Sequence, residues 1–207
     1  MKKIVLLVIF GLQLCQAQDT IFVKSPDTFR RNYVEIGFNY PQGNLSNKFV
    51  HGVEVGYWLR NRLAKNQYLD YGLELNFLEK PRTISYRYAD SLIQFESSRV
   101  GLKLGLRYSK VWYQGANPDG FSLESNSGLG WAALYYKVSS QYPDQFQHDL
   151  DKKTDLHTLF ASQTVKLNWN RFGFYITGSF QPYTLFYKKN EAHFGGTLIS
   201  WGMVSRF

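Results

Sequence analysis

Between Ser98 and Tyr108 the chain alternates without a break. Val100, Leu102, Leu104, Leu106 and Tyr108 fall on one side of an extended strand, and Arg99, Gly101, Lys103, Gly105 and Arg107 fall on the other. Successive side chains of a strand point to opposite faces. A strand here therefore has one wholly apolar face and one built of cations and glycines. The same run wound as a helix would scatter its leucines around the axis. A soluble sheet would rarely set glycine and cations so strictly opposite leucine.

The same period of two returns along the chain, punctuated by turn chemistry. A first strand is expected over Tyr33–Tyr40, with Val34, Ile36, Phe38 and Tyr40 on one face before Pro41-Gln42-Gly43-Asn44. A second covers Phe49–Leu59, with Val53, Val55, Tyr57 and Leu59 against Gly52, Glu54, Gly56 and Trp58. The polar Arg60 to Gln67 run reads as a turn. A third covers Tyr68–Leu78, with Leu69, Tyr71, Leu73, Leu75 and Phe77 against Asp70, Gly72, Glu74 and Asn76. An irregular loop with frayed strand ends leads to the fourth strand, Ser98–Tyr108. The fifth lies within Phe121–Lys137, after the Asn117-Pro118-Asp119-Gly120 turn, with Leu129, Trp131, Ala133 and Tyr135 outward. The polar Ser139–Asp155 run precedes the sixth, Thr158–Trp169. Asn170-Arg171 turns the chain into the seventh, Phe172–Pro182, and His193–Phe207 is the eighth.

The ends of the chain add an address. Met1-Lys2-Lys3 followed by the apolar Ile4–Leu12 reads as a signal peptide over residues 1–17, too short to span a bilayer as a helix. Its removal after Ala17 leaves 190 residues and takes the formal charge from +8 to +6. Leu12-Gln13-Leu14-Cys15 resembles a lipobox, but lipid attachment favours a small residue where Leu14 stands. Without Cys15, the chain's one cysteine, neither a disulfide framework nor a thiolate metal site is possible. Residues 18–32 read as a disordered lead. The mean hydropathy is −0.33 although 17% of residues are aromatic, and beyond the leader no run approaches the roughly 20 apolar residues of a membrane helix. A barrel needs only alternate residues in lipid. The basic residues are scattered along strands rather than clustered, which speaks against nucleic acid as a partner.

The last strand carries Thr197, Ile199, Trp201, Met203, Ser205 and Phe207 on one face and ends on the aromatic. This ending, with the eight alternating segments over residues 33–207, resembles the small outer-membrane β-barrel proteins of Gram-negative bacteria, a porin family of the OmpA/OmpX size class. The resemblance implies an all-β, eight-stranded, antiparallel, up-and-down transmembrane barrel located in the outer membrane. It also implies that Trp201, Met203 and Phe207 form the signal read by the barrel assembly machinery, with Ser205 a departure from the usual bulky residue. Eight is the even count expected of single-chain bacterial barrels. Connections after the first, third, fifth and seventh strands are long or polar and the others mostly shorter, so both termini are expected in the periplasm.

With the apolar faces on lipid, Glu35, Glu54, Glu74, Arg99, Lys103, Arg107, Lys166 and Arg206 all point inward. The interior of an eight-stranded barrel is about wide enough for side chains to fill it. Three acids beside five bases are expected to pair there and hold the barrel shut, since unpaired buried charges are costly. A narrow polar path is the competing reading of the same residues. Tyr57, Trp58, Tyr108, Trp112, Trp131, Trp169 and Trp201 read as interface belts and lumen packing.

Barrel enzymes of this size resemble one another in using His with Ser and an acid, so His51, His148, His157 and His193 are the positions to inspect, His157 first as a base. The His-x-Ser pattern of the lipid A deacylases is absent. Asp144, Asp149, Asp151 and Asp155 read as a solvated loop face. The expectation is a non-enzymatic outer-membrane barrel with no catalytic residue, metal or cofactor, monomeric, in contact with outer-membrane lipid and the assembly machinery. Its extracellular loops would carry a structural or surface-binding role. The alternatives are a narrow pore, a lipid-modifying enzyme, or a soluble secreted barrel for an apolar ligand.

Overall fold

The computed structural model describes residues 32–47, 49–78, 83–88, 91–115, 120–137, 155–183 and 196–207. The expected leader, all of the expected lead but Asn32, and much of the polar connections lie outside the described residues. Eight strands form where the period of two predicts them, and a ninth, β4, lies in the expected irregular loop: β1 (Asn32–Gln42), β2 (Gly52–Ala64), β3 (Gln67–Leu78), β4 (Thr83–Tyr88), β5 (Ser91–Gln114), β6 (Phe121–Lys137), β7 (Asp155–Trp169), β8 (Phe172–Gln181) and β9 (Gly196–Arg206). A 3₁₀ turn at Gly43–Asn47 follows β1.

Eight of these strands close into a ring. Each pairs antiparallel with its sequence neighbour, β3 pairs with β5, and β1 pairs with β9. Among the described residues β4 pairs only with the beginning of β5, and it stands outside the ring. Following hydrogen-bonded partners once round from Trp169, through Phe172, Ser205, Val34, Tyr57, Leu73, Leu104 and Trp131, returns to β7 at Leu159, ten residues away. With strands about 4.8 Å apart and about 3.3 Å of rise per residue, that stagger tilts the strands by about 40°.

Short turns and the carboxy-terminus share one end of the ring. Lys65-Asn66 and Asn170-Arg171 make two of these turns, with Asn66 at φ 62° and Asn170 at φ 54°. Asparagine is among the few residues that take the left-handed region readily. The longer connections, after β1, β3, β6 and β8, share the far end. Several boundaries differ from the sequence reading: β2 starts at Gly52 rather than Phe49, and β5 runs on to Gln114 rather than ending at Tyr108. Arg60–Ala64 continue β2 rather than turning, and β5 begins at Ser91 within the expected irregular loop.

The burial pattern follows the alternation with its sign inverted relative to a soluble protein. Ile36, Leu106, Leu129, Leu159 and Phe174 are among the most exposed residues, whereas Glu35, Asp70, Glu124 and Lys166 are at most 2% exposed. Gly72 lies across from Gly105, and Gly105 from Gly130. A Cβ on Gly72 would sit 2.9 Å from the Trp58 ring and one on Gly105 2.7 Å from Phe160. The missing side chains thus let two large inward aromatics lie against the wall.

Candidate functional site: the charged lumen

The inward faces bring ten charged side chains into the interior, five acids and five bases among the described residues. Their pairing follows from register. Near the turn end, Arg60 sits between two carboxylates. It donates to Asp70 at 2.8 Å through both Nε and Nη2, and to Glu124 at 2.5 and 3.0 Å. Arg206 donates to the same Glu124 at 2.7 Å. Such two-pronged pairs exploit the planar fork of guanidinium. Asp70 also accepts from the hydroxyls of Tyr33 at 2.8 Å and Ser109 at 2.5 Å, while Asn126 donates to both Ser109 and Glu124.

A second group sits deeper. Glu35 receives Arg107 and Lys166, each at 2.6 Å. Arg107 reaches Glu74 at 3.3 Å, and Glu74 takes Lys103 at 2.5 Å. Aromatic faces cover the cations that these pairs leave open. The Arg107 guanidinium lies 3.6 Å from the Trp58 ring centre, and the Lys166 ammonium 3.8 Å from that of Tyr33. Tyr33 joins the two groups, its ring under Lys166 and its hydroxyl on Asp70. The arrangement neutralises charge pairwise, as a low-dielectric interior demands.

Glu54 differs from the expected pairing. It is buried, but its carboxylate accepts hydrogen bonds from the Tyr175 and Ser200 hydroxyls, both at 2.7 Å, and among the described residues it makes no ion pair. Glu35, Glu74, Lys103, Arg107 and Lys166 all lie in the paired groups. Three members were missed from the sequence: Arg60, taken as part of a turn, Asp70, assigned inward but not to the network, and Glu124. The signal for Glu124 is the two-residue spacing of Glu124, Asn126 and Gly128, all on the inward face of β6. The side chain of Arg99 lies outside those described.

The far mouth is closed by a different material. Leu45 from the 3₁₀ turn and Phe49 after it pack with Leu78, Leu134, Tyr183 and Leu198. Between this apolar cap and the Lys103 level a cavity of about 20 Å³ remains, room for about one water. Burial in the cap pushes the Tyr183 phenol up, while its hydroxyl donates to Gln181 at 3.1 Å.

The outer wall carries the remaining sequence candidates. Trp58 is in the lumen, whereas Tyr57, Trp112, Trp169 and Trp201 are exposed on the outside. Trp201 packs on Phe38 with ring centres 5.5 Å apart, and Phe207 on Tyr57 at 6.3 Å. Met203 is exposed on the same face as Trp201. The Phe207 amide donates to the Asn32 carbonyl at 3.1 Å, so the terminal residue is part of the β1–β9 junction. His51 stacks on Tyr40 and His157 on Trp131, at the starts of β2 and β7, which are not neighbours in the ring. His148 and His193 lie outside the described residues, as do Asp144, Asp149 and Asp151. Among the described residues no three His, Cys, Asp or Glu are grouped as metal ligands.

These features define a class: an all-β, closed, eight-stranded antiparallel barrel with an ionic, side-chain-filled interior and an apolar exterior. No family model matches the chain, and a search of curated proteins finds no match.

Proposed function

We propose that this protein is a non-enzymatic, integral outer-membrane β-barrel, exported by its amino-terminal leader, whose far-end loops carry a structural or surface-binding role. One observation carries this reading. The ring is inside-out: all ten buried charges face the lumen, while Ile36, Leu106, Leu129, Leu159, Phe174 and Ile176 face outward and are each more than half exposed. In water an apolar wall of this extent would aggregate. In a bilayer it is the required surface, and only a closed ring leaves no unpaired strand edge in hydrocarbon. The exposed aromatics Trp112, Phe121, Trp169, Phe172 and Phe207 cluster at the turn end, which suits a membrane–water boundary.

The porin-family resemblance and the assembly role of Trp201, Met203 and Phe207 belong to the same proposal. A plugged rather than conducting barrel is favoured by the paired charges and the apolar cap over them. The test is fractionation of cells making the full chain. Protein that stays in the outer membrane through a carbonate wash, and migrates differently when heated, supports the reading. Protein released into the soluble fraction would overturn it in favour of a secreted barrel.

A further inference from the structure

At mid-height the described apolar wall is interrupted by a polar sector. On β7 the outward positions run from His157 to Trp169, and the middle one is Gln163. Its Oε1 accepts from the Ser127 hydroxyl at 2.8 Å, while among the described residues its amide nitrogen has no partner. Ser127 is its register neighbour on β6, and Gly178 its neighbour on β8. A Cβ added at Gly178 would meet nothing within 4 Å, so the wall is notched beside the amide. Ser125 and Ala161 complete this sector. Around the rest of the ring the mid-strand outward positions carry Ile36, Tyr57, Leu73, Leu104 and Met203.

We propose that the β6–β8 wall is a self-association surface, on which a second copy of this chain docks about a two-fold axis passing close to Gln163. The inference rests on the outward face meeting lipid. There an N–H without an acceptor costs several kcal/mol, and lipid tails supply none. A carboxamide carries donors and an acceptor together, so it complements its own copy. A membrane holds both copies the same way up, so a two-fold axis along its normal brings residues of equal height together. Gln163 then meets Gln163 of the other copy, and the notch at Gly178 admits close approach. Small residues around a polar one are what close packing within a membrane favours. This departs from the monomer expected from the sequence alone.

The experiment uses spin labels on the mature chain in phospholipid vesicles, introduced by Ala161→Cys beside the axis or Val55→Cys on the opposite wall. Vesicle flotation and heat-modifiability are checked for each variant. Pulsed electron-spin measurement should give a defined distance shorter than one barrel's width for Ala161→Cys and no such distance for Val55→Cys. Adding Gln163→Leu to Ala161→Cys should cut the paired fraction about tenfold while flotation is unchanged. A chain that floats but shows no short distance at Ala161→Cys, or shows one at Val55→Cys, overturns the proposal alone. So does a paired fraction indifferent to Gln163→Leu. A chain that does not float overturns the membrane reading and this proposal with it.

Discussion

Glu35 and Glu54 are glutamates buried in the same lumen and held in opposite ways. Glu35 faces two cations, Arg107 and Lys166, and Glu54 faces two hydroxyls. Removing the charge at each position therefore has different consequences. Glu35→Gln takes the carboxylate from Lys166 and leaves Arg107 only its longer contact with Glu74, so it is expected to destabilise the barrel by about 3–5 kcal/mol. Glu54→Gln strands no cation, and its amide oxygen still accepts from a hydroxyl, so its cost should stay at about 1 kcal/mol. Reversible urea unfolding of both variants in detergent or vesicles makes the comparison, and equal losses would refute the assigned pairing. The sequence showed that Glu54 points inward, because strand parity alone decides that. It could not show which side chain Glu54 meets, because that depends on the stagger between strands β2, β8 and β9, far apart in the chain.

At the scale of the element, β5 provides the sharpest test of which face meets lipid. Leu104 is outward and half exposed, while Lys103 beside it is buried against Glu74. Leu104→Arg should cost about 2–4 kcal/mol in a bilayer. Lys103→Gln should impair insertion much less, because Arg107 still reaches Glu74. Equal tolerance of the two in a vesicle-insertion assay would mean the apolar face does not meet lipid. On β9, deleting Phe207 removes its amide bond to Asn32 and the last aromatic of the wall. Slower insertion and accumulation in the periplasm are expected, and a normal yield of heat-modifiable protein would remove the assembly role. Strand faces were legible because one side had to be apolar. Strand ends were not, since Arg60-Asn61-Arg62 continues β2 with polar residues on both faces and so resembles a turn. The early part of β5, from Ser91, lacks clean alternation for the same reason: there the sequence no longer separates one apolar face from one polar face.

On the scale of the whole molecule, side chains fill the interior from the Arg206–Glu124 pair at the turn end to the Leu45 and Phe49 cap at the far end, apart from the one-water cavity beneath that cap. Planar-bilayer recording of the wild type is therefore expected to show little or no conductance. Glu74→Ala leaves Lys103 without its partner and should either cost several kcal/mol or admit water, seen as flickering openings. Large, steady openings in the wild type would sink the filled-barrel reading. The junction of β1 with β9 has a further kinetic consequence. It places Tyr33 opposite Arg206, so the ring is completed by its first and last strands. No earlier subset of strands can close on itself. Until the last strand arrives, every partly formed sheet keeps two free edges and an uncovered apolar wall. Such long-range closure makes folding slow and leaves its intermediates sticky. Escorts that cover those edges would govern the yield of this protein more than the stability of the finished ring does.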